Sequence, residues 1–126
     1  MTDKIVVLVT CGTPREARRI AKELVERRLA ACVNVLNSRV RSTYRWKDKV
    51  ETAAEYLLLI KTSKKKFAAL RAAIACLHSY EVPEIIALPI GTGSAAYLRW
   101  LDECLHPTGI GHRGTETRRM KAKGKG

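Results

Sequence analysis

The stretch HSYEVPEI, residues 78–85, places an imidazole, a phenol, two carboxylates and a proline within eight positions. Cys11 adds a thiol at the end of the run KIVVLVTC, immediately before a turn. Soft copper(I) prefers thiolate, whereas copper(II) and zinc also accept imidazole nitrogen and carboxylate oxygen. Cys11, His78 and Glu84 are therefore the metal-ligating candidates, provided the fold brings them to one edge. Each also has a plainer reading. Cys11 suits a strand end as a small hydrophobe, and His78 suits a helix C-terminus, where an imidazole complements the dipole. Glu84 suits a carboxylate bonded to backbone N–H groups or to a lysine. On the residues alone both readings stand.

Other chemistries find less support. No G-x-G-x-x-G or Walker loop occurs, and GTGS (91–94) reads as a turn and helix start. His106 and His112 fall in a C-terminal segment with few core residues, so a Ser-His-Asp arrangement has no frame. The four cysteines form no C-x-x-C pair, which argues against a disulfide scaffold or a zinc finger and for reduced thiols in the cytosol. Lys61, closing LLLIKT, is a candidate for anion binding in a cleft, and a solvated lysine is the plainer account.

The elements that would position these groups follow from periodicity. Residues 4–11 are a β-branched run typical of a covered central strand. TPRE (13–16) then offers Thr13 as a helix cap, Pro14 at the first helical position and Glu16 as the return arm of a capping box. Ala17, Ile20, Ala21, Leu24, Val25 and Leu29 recur at helical spacing. ACVNVL and SRVRSTYRWK follow; the second alternates Val40, Ser42, Tyr44 and Trp46 with basic residues, the mark of a strand. A turn around Lys47-Asp48 returns the chain through VETAAEYLLLIKT. Opposite charges match if Arg45 faces Glu51 and Arg41 faces Glu55, with Trp46 opposite Val50 and Val40 opposite Tyr56. Ser63 is positioned to cap a second helix carrying Phe67, Leu70, Ala73, Ile74 and Leu77. Lys64, Lys65 and Lys66 stand in its first turn, against the helix dipole. The strand IIALPI (85–90) and a last helix, AAYLRWLDECL, complete the order. In that helix Tyr97, Leu98, Leu101 and Leu105 share a face, and Trp100 points away from it.

Strand, helix, strand, strand, helix, strand with right-handed crossovers predicts an α+β, ferredoxin-like βαββαβ sandwich, with a long hairpin between its second and third strands and an extra C-terminal helix. Two helices cover one sheet face; the other face and the hairpin aromatics Tyr44, Trp46 and Tyr56 need a partner, so self-association is expected.

The chain has 126 residues, 46% of them apolar and 29% charged, as expected of one globular domain. Of its net charge of +12, residues 106–126 carry six basic and one acidic side chain, or +5, which leaves +7 for the rest. A ferredoxin-like domain over 1–105 and a basic, disordered tail over 106–126 are expected. The first apolar run is short and has no basic region before it, and no segment approaches the roughly 20 apolar residues of a membrane helix. A cytoplasmic protein with no membrane partner is expected. One phenylalanine and no RNP aromatic pattern speak against an RNA-reading sheet, leaving only salt-sensitive, non-specific nucleic-acid contact through the tail.

Together TPREARRIAKELVERRLAACVNV, STYRW, LLLIKT, HSYEVPEIIALPI and YLRWL resemble the CutA (divalent-cation tolerance) family over nearly all of residues 4–105. The resemblance implies a homotrimer whose long hairpins and C-terminal segments pair between subunits. It implies binding of divalent metal, copper first and zinc second, with no catalytic turnover. Cys11, three residues before the proline of the first helix, His78, two before Tyr80, and Glu84 of PEI match the ligands of the family's copper binders. The alternative is a sensor like the ferredoxin-like PII trimers, with a small anionic ligand in inter-subunit clefts; Lys61, Tyr80 and Trp46 are its candidate residues. Asn37-Ser38 replaces the family's Pro-Gly kink, and Asp48 stands where a glycine is usual.

Overall fold

The computed structural model describes residues 2–106; the tail expected over 106–126 lies, from 107 on, outside the described residues. In chain order the elements are β1 (Lys4–Cys11), α1 (Pro14–Glu26), β2 (Cys32–Val35), β3 (Val40–Trp46), β4 (Lys49–Ser63), α2 (Phe67–Leu77), β5 (Ile86–Pro89) and α3 (Ala95–Leu105). All strand pairs are antiparallel, in the order β2-β4-β1-β5, with β3 pairing to the far part of β4.

Alternation along β1 fixes which face is covered. Ile5, Val7, Val9 and Cys11 are buried and form one core with Leu58 and Ile60 of β4, Ile20 and Leu24 of α1, and Leu70 and Ile74 of α2. The opposite face carries Val6 and Leu8, paired with Leu88 and Ile86 of β5, which are each 50% exposed. One end of that face is held by α3. There Leu101 and Leu105 pack on Ala31, and the buried Lys4 ammonium bridges Asp3 at 2.5 Å and Asp102 at 2.8 Å. Burial works against the Lys4 charge, but the Asp102 and Asp3 bonds outweigh it and raise its pKa above the ordinary lysine value. The bridge is therefore intact at neutral pH and is lost only as pH climbs through that raised value. The Trp100 ring lies 5.5 Å from that of Tyr97.

Several local details differ from the periodicity. Thr13 caps α1, its Oγ1 accepting the Glu16 N–H at 3.1 Å. Glu16 closes no capping box; its carboxylate bonds Ser79 instead. The helix stops at Glu26, short of Leu29. Arg28 turns left-handed (φ 56°) and Leu29 N–H reaches back to the Leu24 carbonyl at 2.9 Å, the closure a glycine usually provides. Ser63 makes no side-chain cap, and Lys64–Lys66 form a 3₁₀ turn ahead of α2.

The hairpin pairs one residue away from the charge-matched register. Trp46 faces Lys49, Arg45 faces Val50, Tyr44 faces Glu51 and Val40 faces Glu55. The turn decides this. Lys47 (φ 50°) and Asp48 (φ 67°) are both left-handed, the two-residue geometry whose twist suits flanking strands, and it outweighs exposed ion pairs of about 0.5 kcal/mol each. A bulge breaks the outer strand: residues 36–39 lie opposite only 56 and 57, since Val35 pairs with Leu58 and Val40 with Glu55. The offset is even, so alternation between faces survives it. Glu55 thereby shares a face with Tyr44 and Trp46 instead of facing Arg41. Lys47→Asn with Asp48→Gly suits both left-handed positions and is expected to raise the melting temperature by roughly 3 °C or more in calorimetry. A lower melting temperature would contradict the two-residue turn.

Candidate functional site

The end of α2 and the segment after it are fastened to β1, α1 and β4 by side-chain hydrogen bonds. His78 is buried, and its Nε2 lies 2.7 Å from the Thr10 carbonyl oxygen while its Nδ1 lies 3.1 Å from Tyr80 N. A carbonyl only accepts and an amide N–H only donates, so the ring is the neutral Nε2–H tautomer with its Nδ1 lone pair taken by Tyr80. The 4.0 Å approach of Glu16 Oε1 to Nδ1 is accordingly a contact rather than an ion pair. Glu16 accepts from Ser79 N at 2.7 Å and from Ser79 Oγ at 3.1 Å, and Arg19 donates to the Leu77 carbonyl at 2.7 Å. Tyr80 reaches across to donate to Glu55 Oε2 at 2.7 Å. Gly12 permits that crossing, because a Cβ there would stand 3.2 Å from the Tyr80 hydroxyl.

This fastening brings donors together. Cys11 Sγ, a Glu16 carboxylate oxygen and a His78 ring nitrogen lie within 4.8 Å of one another. Of the predicted ligands, Cys11 and His78 meet, whereas Glu84 is exposed and lines a neighbouring cavity. Glu16 takes the carboxylate place. Sequence reasoning assigned it to the helix cap, although its first-turn position beside the end of the Cys11 strand was the available signal. Burial, reinforced by Glu16 and Glu55, pushes the Cys11 thiol up to about 12, so it stays protonated at neutral pH. The donor set fits a soft or borderline divalent ion in type and spacing, on two conditions: the thiol must release its proton and Tyr80 N–H must vacate Nδ1.

The neighbouring cavity, about 690 Å³, lies between the aromatic face of the hairpin and the 80–84 loop. Tyr44, Trp46 and Tyr80 line it together with Glu55, Glu81 and Glu84. Burial, followed by the Glu55 bond and charge, raises the Tyr80 pKa well above the usual phenol value, keeping the hydroxyl a donor. Of the three anion candidates, Tyr80 and Trp46 meet here. Lys61 lies elsewhere, its ammonium on Asn34 Oδ1, six positions along β4 from Glu55 and hence about 20 Å away. Glu55 went unnoticed because the charge-matched register gave it Arg41.

Known proteins share this sequence pattern and fold. The family model described as "CutA1 divalent ion tolerance protein" matches residues 5–104. The "Divalent-cation tolerance protein CutA" of Thermus thermophilus is 50% identical over 98 residues, 78% of this chain and 94% of that protein. A solved structure, the "Periplasmic divalent cation tolerance protein CutA" from Archaeoglobus fulgidus, superposes with a TM-score of 0.79 at 39% identity, over 82% of this chain and 99% of that one. "Protein CutA 1, chloroplastic" of rice is 44% identical over 77% of this chain, which spans about half (54%) of its length. Among the described residues no helix is long and apolar enough to cross a membrane. Family model, identity and superposition agree: the chain belongs to the CutA1 divalent ion tolerance protein family.

Proposed function

We propose that this protein is a ferredoxin-like homotrimer that binds a divalent cation in metal tolerance or response, in the cytoplasm and without catalytic turnover. The observation that carries the metal reading is the convergence of Cys11, Glu16 and His78 within 4.8 Å. Copper stands first and zinc second, since a thiolate, an imidazole and one carboxylate suit both and copper(II) leads the affinity order. Metal ions and other copies of the chain are its partners in this reading, with nucleic acid meeting at most the basic tail. The names of its relatives, for divalent-cation tolerance, support the cargo class. A small-anion sensor is not favoured, because Tyr80 and Trp46 line an acidic cavity and Lys61 lies far from it.

The protonated Cys11 thiol gives metal binding a specific pH dependence. Cys11 must lose a proton held up to about 12, so affinity rises with pH wherever the free thiol is protonated. Calorimetric titration with zinc is expected to show about a tenfold tighter Kd per pH unit between roughly pH 7 and 9, with one proton released. Cys11→Ser should flatten that slope and weaken binding at least about tenfold. Unchanged affinity in both Cys11→Ser and His78→Ala would remove the site.

Assembly is supported by the uncovered sheet face, where Ile86 and Leu88 stand half exposed opposite Leu8 and Val6. Light scattering at micromolar concentration should give three copies of the 14.1 kDa chain, and Ile86→Lys with Leu88→Lys should lower that mass. A wild-type monomer would contradict the assembly.

A further inference from the structure

We propose that the cavity between the hairpin and the 80–84 loop is the socket for the hairpin of a second copy of this chain. The partner's Arg41, at the centre of an arginine row, is the counter-charge of Glu55. The pairing rests on the trimer proposed above and names the surfaces that meet in it.

Glu55 is the first reason. It is only 6% exposed, its hydrogen-bond partner is the neutral Tyr80 hydroxyl, and it forms no ion pair among the described residues. Buried carboxylates are ordinarily paired with a cation, because a phenol alone does not offset the loss of hydration. The cavity around it, about 690 Å³, adds Glu81 and Glu84 and is lined by no lysine, arginine or histidine. On a chain of net charge +12, the base that Glu55 lacks has to come from outside this cavity.

The back of the same ribbon carries what the front lacks. Alternation puts Arg39, Arg41 and Arg45 on the face opposite Glu55, beside Val50, Thr52 and Ala54 and with no carboxylate among them. Arg39 and Arg41 are exposed, line a second hollow of about 420 Å³ and form no ion pair among the described residues. Front against front would set carboxylate against carboxylate, and back against back guanidinium against guanidinium. The ribbon therefore complements itself only front to back, a head-to-tail contact that closes into a ring such as a trimer and not into a two-fold dimer.

Arginine also fits the walls of the socket. A guanidinium stacks on aromatic rings and grips a carboxylate through paired N–H bonds. Tyr44 and Trp46, 44% and 38% exposed in the single chain, offer those rings, and Trp46 already has the Lys47 ammonium 5.8 Å from its centroid. Val50, 65% exposed on the arginine face, is covered by the same contact.

Charge reversal tests the pairing, read as mass by light scattering of the full chain across micromolar concentrations. Wild type should give three copies. Arg41→Glu and Glu55→Lys should each weaken assembly about tenfold or more, and the two combined in one chain should restore it at least in part. Arg41 and Glu55 lie on opposite faces of one hairpin, so recovery reports a contact between copies. Where Glu55→Lys does not fold, two exposed positions decide. Co-expressed Arg41→Cys and Tyr44→Cys copies should form a disulfide-linked dimer under mild oxidation that neither variant forms alone. A wild-type monomer overturns the trimer and the pairing together. A wild-type trimer overturns the pairing alone if the single reversals leave its mass unchanged, if the combined reversal recovers nothing, or if the cysteine copies do not link.

Discussion

The imidazole of His78 ties together the end of β1, the end of α2 and the loop that follows it. Its Nε2 donates to the carbonyl of Thr10 in β1, its Nδ1 accepts the backbone N–H of Tyr80, and its Cα ends α2. The bond to Thr10 is buried and the bond from Tyr80 partly so, and breaking the buried one leaves a polar group unsatisfied at a cost of about 1–3 kcal/mol. The orientation of the 79–84 loop follows from them: Ser79 falls onto Glu16, and Tyr80 crosses Gly12 to reach Glu55. A fully bonded histidine is also a poor metal ligand until one bond yields. In the proposed metal site, a ligating role for His78 would compete with this structural one, because an ion at Nδ1 would have to displace the Tyr80 N–H.

A second constraint acts from the hairpin tip. Two left-handed residues at Lys47 and Asp48 fix the pairing of β3 with β4, and that register sends Glu55 to the aromatic face. One residue of slip would have placed it opposite Arg41. The same carboxylate then receives the Tyr80 hydroxyl and helps hold the Cys11 thiol protonated. Turn geometry some way along the ribbon therefore sets the electrostatics of both the thiol and the cavity.

The helices, the strand order and the uncovered sheet face were legible in the sequence, since each rests on a periodicity longer than any local exception. Cys11 and His78 were legible as neighbours because strand β1 and the end of α2 must meet in this topology. Three features were not. The hairpin register was read from charge pairs, but exposed pairs are weak beside turn geometry. Glu16 was read locally, as an N-terminal capping residue, although Ser79, distant in sequence, took its carboxylate. Glu84 shares a loop with His78 yet lies exposed at the cavity, because spacing along a loop says little about where a side chain converges. The split of the outer strand after Val35 likewise depends on a bulge that no period announces.

The tautomer of His78 tests most directly whether this ring latches the loop. Nitrogen-15 NMR of the metal-free protein should show Nε2 protonated and Nδ1 unprotonated, with a coupling through the hydrogen bond from Nε2 to the Thr10 carbonyl. Metal should then shift Nδ1 and the Tyr80 amide together. A protonated Nδ1 in the metal-free protein, or a Tyr80 amide indifferent to metal that binds at Cys11, would contradict the latch.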